Sequence, residues 1–402
     1  MKPCRSAFFL FFLLCASPAP AEIPADGVKI GVLTDMSGPF SDQVGKGSVV
    51  AAELAVEDFA KESGGLKVEI VSADHQNKPD VGLGIARHWV DEDGVAAIVD
   101  LPNSGIALAV ANLMREKHRT ALTSSSLTSD LTGKACAPTT VQWVTDTFVQ
   151  ANSTVRALAQ RNLKSWYFLV VDYALGQALE RDASAALTAS GGQVLGAVRS
   201  ALGTADFSSP LISAQSSGAS VLALASTGAD MINAIKQANE FRITPQMTIA
   251  PLFIQLSDVQ ALGLSVAKGL QFVEAFYWDL SDETRAWSQR FGARMQGRMP
   301  TEDHAGTYSA TLAYLRAVRD TGTIEGEKVV ERMKSMSIED ELFGKVVIRP
   351  DGRAVHDVYL FEVKAPAESK GPYDYYKLLD TIPGDKAFRP LDQGGCPFES
   401  WK

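Results

Sequence analysis

The sequence is poor in cysteine and histidine, carries no excess of positive charge, and has no apolar run long enough to cross a membrane. Each shortage excludes something. The five histidines are scattered, with no His-x-x-x-His spacing, so no metal site is legible. The formal net charge is −9, and no basic patch is interleaved with aromatics. Nucleic acid and anionic membrane surfaces are therefore poor partners. No Gly-x-Ser-x-Gly nucleophile elbow occurs, and the serines at 124–126 have no assignable base, so the reading is non-enzymatic and cofactor-free. Gly45-Lys46-Gly47-Ser48 superficially resembles a phosphate loop. It fails because position 40 is Phe and Lys46 is followed by Gly, leaving a loop-to-helix entry.

What is there begins with a targeting signal. Lys2 and Arg5 precede the apolar stretch 7–16, which is well short of the ~20 residues a spanning helix needs. Ala19-Pro20-Ala21 fits a small-x-small cleavage site, so residues 1–21 read as a signal peptide. A lipoprotein leader acylated at Cys15 is the alternative, but Leu14 precedes that cysteine where a small residue is wanted. Cys4 and Cys15 leave with the leader. Cys136 and Cys396 remain, and an oxidising compartment favours a disulfide between them, which would tether a C-terminal tail at 391–402. Residues 22–402 exceed the ~250–300 residues at which a single core stops growing, so two domains are expected.

Short apolar strands alternate with amphipathic helices. Strands are predicted at 28–33, 67–71, 95–99 and 121–122, with helices at 46–61, 79–90 and 105–116 between them. A second series follows: helices at 147–160, 175–189, 210–215 and 229–241, strands at 166–171, 194–198, 220–224 and 247–250. Continuous apolar strands separated by helices imply parallel sheets covered on both faces, an α/β fold. Helices at 284–296, 306–320 and 325–335 then precede strands at 345–349 and 358–363 around the turn Pro350-Asp351-Gly352-Arg353. The arginines between Arg285 and Arg298 read as a solvated helix face, or as a docking surface. Ligands in open α/β sheets sit beyond the carboxyl ends of the strands. The loops there carry Ser37, Ser104, Ser124-Ser125-Ser126, Tyr173 and Ser226-Thr227. Helices that open on serine also offer backbone N–H groups suited to a carboxylate.

Six segments in order carry a resemblance. They are Ile30-Gly31-Val32-Leu33-Thr34-Asp35-Met36-Ser37-Gly38-Pro39, Ser72-Ala73-Asp74 with Pro79, Asn103-Ser104, Asp130-Leu131-Thr132-Gly133, Asp172-Tyr173-Ala174-Leu175-Gly176 and Asp206-Phe207-Ser208. Together they resemble the type I periplasmic solute-binding proteins of ABC transporters, in the branched-chain amino acid (leucine/isoleucine/valine) group. The resemblance implies two Rossmann-like lobes with parallel central sheets, joined by three hinge crossovers near 143–147, 273–276 and 354–357. Lobe 1 would be 28–145 plus 275–355, and lobe 2 would be 146–274 plus 356–390. The chain would act in the periplasm, with a small solute and an ABC permease at the inner membrane as its partners, and would work as a monomer. A ligand-sensing receptor domain would use the same fold.

The ligand contacts implied by the resemblance are Ser104, the loop Ser125-Ser126-Leu127, Tyr173 or Leu175, Thr227, and an aromatic near Tyr308. Amino-acid binders in this group carry Thr where this chain has Leu127, and an acid after the strand ending near Ala250. Here that stretch is Pro251-Leu252-Phe253-Ile254-Gln255. A buried ammonium without a carboxylate is very costly. The sequence therefore favours a carboxylate with an apolar or aromatic body, against which Phe253, Tyr173, Tyr277 and Trp278 would pack; an amino acid, an amide or urea is the alternative.

Overall fold

The computed structural model describes residues 22–244 and 246–397. The leader proposed at 1–21 and residues 398–402 of the tail lie outside the described residues. The first half comprises β1 (Val28–Thr34), α1 (Gly45–Ala60), β2 (Val68–Asp74), α2 (Pro79–Asp91), β3 (Val95–Asp100), α3 (Ser104–Glu116), β4 (Thr120–Thr123) and β5 (Thr140–Gln142). The second comprises α4 (Thr147–Gln160), β6 (Ser165–Val171), α5 (Ala174–Ala189), β7 (Gln193–Ser200), α6 (Ser208–Ser216), β8 (Val221–Ala225), α7 (Gly228–Glu240), β9 (Thr248–Pro251), α8 (Leu256–Leu262), α9 (Leu264–Ala267) and β10 (Gln271–Glu274). Then come α10 (Asp282–Arg294), α11 (Glu302–Thr321), α12 (Gly326–Ser335), β11 (Ile338–Asp340), β12 (Gly344–Ile348), β13 (Ala354–Val355), β14 (Val358–Val363), β15 (Tyr376–Ile382) and α13 (Gly384–Ala387).

The two series build two parallel sheets, ordered β2-β1-β3-β4-β5 and β7-β6-β8-β9. This is the expected α/β architecture of two Rossmann-like lobes. Strand β3 is buried along its whole length, as a strand covered on both faces must be. The chain passes between the halves at 143–146, 275–281 and 356–357. Two small antiparallel sheets, β11-β12-β13 and β10-β14-β15, extend the first and second halves respectively. Each half has its own apolar core: Trp143, Phe276 and Trp287 pack in the first, Trp166 and Phe168 in the second.

Local signals explain the helix starts. Pro79 opens α2, where its missing N–H costs nothing. Thr301 caps α11 through its hydroxyl and the His304 amide, so the helix begins at Glu302 and not at the predicted 306. β5 and β15 were not predicted. β5 has three residues, too few for a pattern, and β15 is an edge strand whose side chains are mostly exposed. The arginines of α10 and the turn after it do not form a free face. Arg290 pairs with Asp58 at 2.7 Å, Arg294 with Glu57, and Arg298 with Asp42 at 3.0 Å, fastening this segment to α1 and the loop before it.

The tail returns from the second half to the first. After α13, the Phe388 ring lies under the Arg353 guanidinium, 4.7 Å from centroid to Cζ, and edge-on to His356. Arg389 donates to the Ser129 carbonyl at 2.8 Å. Cys396 then joins Cys136 in a disulfide with a Cα–Cα distance of 5.6 Å.

Candidate ligand-binding site

Strand order reverses at β1 and at β6, and the loops beyond their carboxyl ends face each other across the two halves. In the first half the apolar strand β3 ends on Asp100, whose side chain is fully buried. Asp100 and Leu101 have φ of 84° and 62°. Non-glycine residues held there cost on the order of 1–3 kcal/mol each and cluster at functional sites. The surroundings enforce the conformation: Leu101 N–H donates to Leu33 O at 3.1 Å, Ser125 N–H to Asp100 O at 3.2 Å, and Asp100 N–H to Ser124 Oγ at 3.2 Å. The Ser125 hydroxyl donates to the Asp100 carboxyl. Burial lifts that carboxyl to about 6, against the opposing pull of the Ser125, Thr34 and Ser48 hydroxyls. Beside it, Ser126 Oγ lies 3.4 Å from Ser104 Oγ. One expectation is corrected here. The first amides of α3 are not free for a ligand, because the Asn103 side chain accepts from Gly105 N–H and Ile106 N–H at 3.0 and 3.2 Å.

In the second half Tyr173 precedes α5, whose N-terminus has no side-chain cap. The Tyr173 hydroxyl and the Ser226 hydroxyl are buried and have no hydrogen-bond partner among the described residues. A buried hydroxyl left unpaired is costly, so each has hydrogen-bonding capacity to spare. Tyr173 belongs with Leu127, Leu175 and Phe253 in one apolar cluster, so a first-half residue, Leu127, completes an apolar wall with second-half side chains. The Phe40 ring approaches Tyr173 from the first half, with centroids 6.4 Å apart. At the rim, Gly228 has φ of 60°, and a Cβ there would stand 2.5 Å from Pro39 O. Only glycine allows that close approach.

Buried carboxyls frame the inner end. Asp258 in the first turn of α8 is pushed up to about 7 by burial, and Asp303 in α11 is raised well above its ordinary value by burial and by neighbouring Glu302. The stretch 251–255 does lack an acid, but the fold supplies these two from beyond it. Glu302 binds two crossovers at once: its carboxylate accepts from Thr145 N–H at 2.7 Å and Ala275 N–H at 3.1 Å. The third crossover answers it. Arg353 donates to Val144 O, and His356 Nε2 lies 2.9 Å from Trp143 O.

The structure thus brings Ser104, Ser125, Ser126, Tyr173, Thr227 and Phe253 to the facing ends of the two sheets. Three other sequence candidates sit elsewhere. Ser37 is exposed and donates to Asp74 at 2.5 Å. Tyr277 stacks on Tyr376, 4.7 Å between centroids, and gives its hydroxyl to Tyr373 O at 2.8 Å. Tyr308 packs against Trp287 in the first core and donates to Asp58 at 2.9 Å. Both tyrosine hydroxyls are satisfied within the protein. Sequence reasoning missed Gln43, Asp100, Asp258 and Asp303. For Asp100 a signal existed, since an aspartate closing a wholly apolar strand needs a reason to be there.

Comparison with known proteins agrees with this geometry. The family model described as periplasmic binding protein matches residues 27–372. The chain is similar to a periplasmic binding protein of Burkholderia mallei, 42% identical, covering 94% of this chain and 100% of that one, with a TM-score of 0.91. It is similar to a branched chain amino acid ABC transporter periplasmic ligand-binding protein of Burkholderia xenovorans, 40% identical over 92% of this chain and 100% of that one, TM-score 0.80. A Leu/Ile/Val-binding protein homolog 6 of Brucella melitensis is 28% identical over 96% of this chain and 100% of its own length. On the extent of the family match, the chain belongs to the periplasmic binding protein family, a family of non-enzymatic binders.

Proposed function

We propose that this protein is the extracytoplasmic receptor of an ABC importer, exported by a cleaved signal peptide, and that it encloses a small carboxylate with an apolar or aromatic body between its two halves. The observation that carries the reading is the pairing of two surfaces. The Ser104 and Ser126 hydroxyls lie 3.4 Å apart in the first half, the Tyr173 and Ser226 hydroxyls of the second have no partner among the described residues, and Leu127 of the first half joins Leu175 and Phe253 in one apolar cluster. Hydroxyl groups and the uncapped start of α5 suit a carboxylate without any cationic side chain. The wall suits an apolar body. Binding works by difference: a solute touching both halves only when they meet shifts the open–closed equilibrium, and the permease reads the closed shape.

A second reading, an α-amino acid, is favoured by Asp258 and Asp303, either of which would neutralise an ammonium group. The name of the Burkholderia xenovorans protein points the same way. Calorimetric titration separates the two. Tight binding of 4-hydroxybenzoate with none of leucine supports the first reading, and the reverse result replaces it with the second.

A further inference from the structure

Two glutamines reach across the halves in opposite senses. Gln43 sits in the first-half loop after β1, and its Nε2 donates to Asp258 Oδ2 and Thr227 Oγ1 of the second half, both at 2.9 Å. Gln255 precedes α8 in the second half, and its Nε2 donates to Asp303 Oδ2 on α11 at 2.8 Å. All four side chains are at most 3% exposed. Neither glutamine is a loose arm. The Gln43 carbonyl accepts from Thr301 Oγ1 at 2.7 Å, and the Gln255 amide N–H donates to Asp258 Oδ2 at 2.9 Å. Around them the halves touch directly, with Ala229 N–H 3.3 Å from Pro39 O.

We propose that Gln43 and Gln255 are the positioning residues of the closed state: two glutamine–aspartate pairs, exchanged between the halves, bias the open–closed equilibrium towards closure, and a solute completes it. The argument is one of chemistry and placement. Each carboxyl is taken out of water on closure, and a neutral amide is the donor that satisfies it in either protonation state. A cationic donor would need the carboxyl ionised. The pairs also set how selective closure is, because a solute need supply only the part of the closing free energy that the pairs do not. The inference rests on the two-lobed receptor reading above, but no solute enters its test.

The groups facing Asp258 make the test specific. They are Asp42 on the loop beside Gln43, Glu274 on β10, Asp303 on α11 and Tyr376 on β15, with Gln255 N–H and Gln43 Nε2 as donors. Asp42 is itself engaged by Arg298. A second carboxyl placed at position 43 would therefore meet Asp258 with no cation between them. Two adjacent carboxyls do not both ionise readily, but they share one proton well.

Small-angle X-ray scattering on the solute-free, oxidised full-length mature protein reads the closure, with a thermal melt on each variant to show that it is folded. Wild type without solute is expected to populate open and closed forms together. The double variant Gln43→Ala/Gln255→Ala is expected to show a larger radius of gyration, each lost pair shifting the closed-to-open ratio by roughly ten- to a hundredfold. Gln43→Glu is expected to be open at about pH 8 and to close again at about pH 5.5, whereas Gln43→Ala stays open at both. A double variant as compact as wild type overturns the proposal. So does a Gln43→Glu variant whose radius of gyration ignores pH, since a merely structural loop pin would behave that way.

Discussion

Replacing Glu302 by alanine should unfasten the hinge, and its cost follows from what the carboxylate holds. Its two oxygens accept the backbone N–H groups of Thr145 and Ala275, which belong to different crossovers and lie in buried surroundings. Removing the side chain leaves both donors without an acceptor. Each orphaned buried donor costs about 1–3 kcal/mol, so the pair amounts to roughly 2–6 kcal/mol. Burial raises the Glu302 carboxyl above its ordinary value, and relief of that burial cost offsets part of the loss. A net destabilisation of about 3 kcal/mol is therefore expected. Glu302→Gln keeps one acceptor and should lose about half as much. Guanidinium unfolding followed by tryptophan fluorescence measures both, with Glu331→Ala, an exposed change on α12, as the control that should stay within about 0.5 kcal/mol. A Glu302→Ala variant within about 1 kcal/mol of wild type would refute the idea that this carboxylate ties the crossovers together.

Ser104→Ala and Tyr173→Phe should each weaken solute binding by about three- to tenfold in calorimetry without moving the melting temperature; a lowered melting temperature with intact affinity would relocate the site. Asp258 holds its proton more tightly when folded, at about 7 against an ordinary 3.8, so its contribution to stability is full below about pH 4 and lost as pH rises through about 7. Asp258→Asn cannot titrate, and it should gain on wild type by up to about 4 kcal/mol between pH 4 and 8 in paired unfolding curves; parallel curves would contradict the buried-acid assignment. Cys136→Ser/Cys396→Ser should lower stability by about 5 kcal/mol on loop-entropy grounds, given the sequence separation of 260. Unchanged unfolding midpoints would show that the tail is held by its non-covalent contacts alone.

Most of the fold was legible because its strands are wholly apolar and its helices are not. The run Val95–Asp100 between helices 79–91 and 104–116 has no other sensible reading. The site was legible only where it consists of loop residues at strand ends, such as Ser104 and Tyr173. Tyr277 and Tyr308 misled because an aromatic ring serves a core and a ligand equally well, and only tertiary neighbours such as Tyr373 and Asp58 decide which. Gln43, Asp258 and Asp303 stayed hidden for a different reason. Each is an ordinary surface residue type, and it becomes consequential only when segments more than 40 residues apart are brought together.

The Cys136–Cys396 bond also leaves little room for mispairing as the protein folds. If the leader is removed, residues 22–402 contain only these two thiols, so the chain has a single intramolecular pairing and needs an oxidant but no shuffling of wrong bridges. On the exported reading proposed above, Cys136 would emerge 260 residues ahead of its partner. The first lobe would then carry one unpaired thiol until the segment around Cys396 arrives. A chain that lacks Cys396 would be left with Cys136 unpaired, so the covalent seal tells a chain carrying both segments from one that does not.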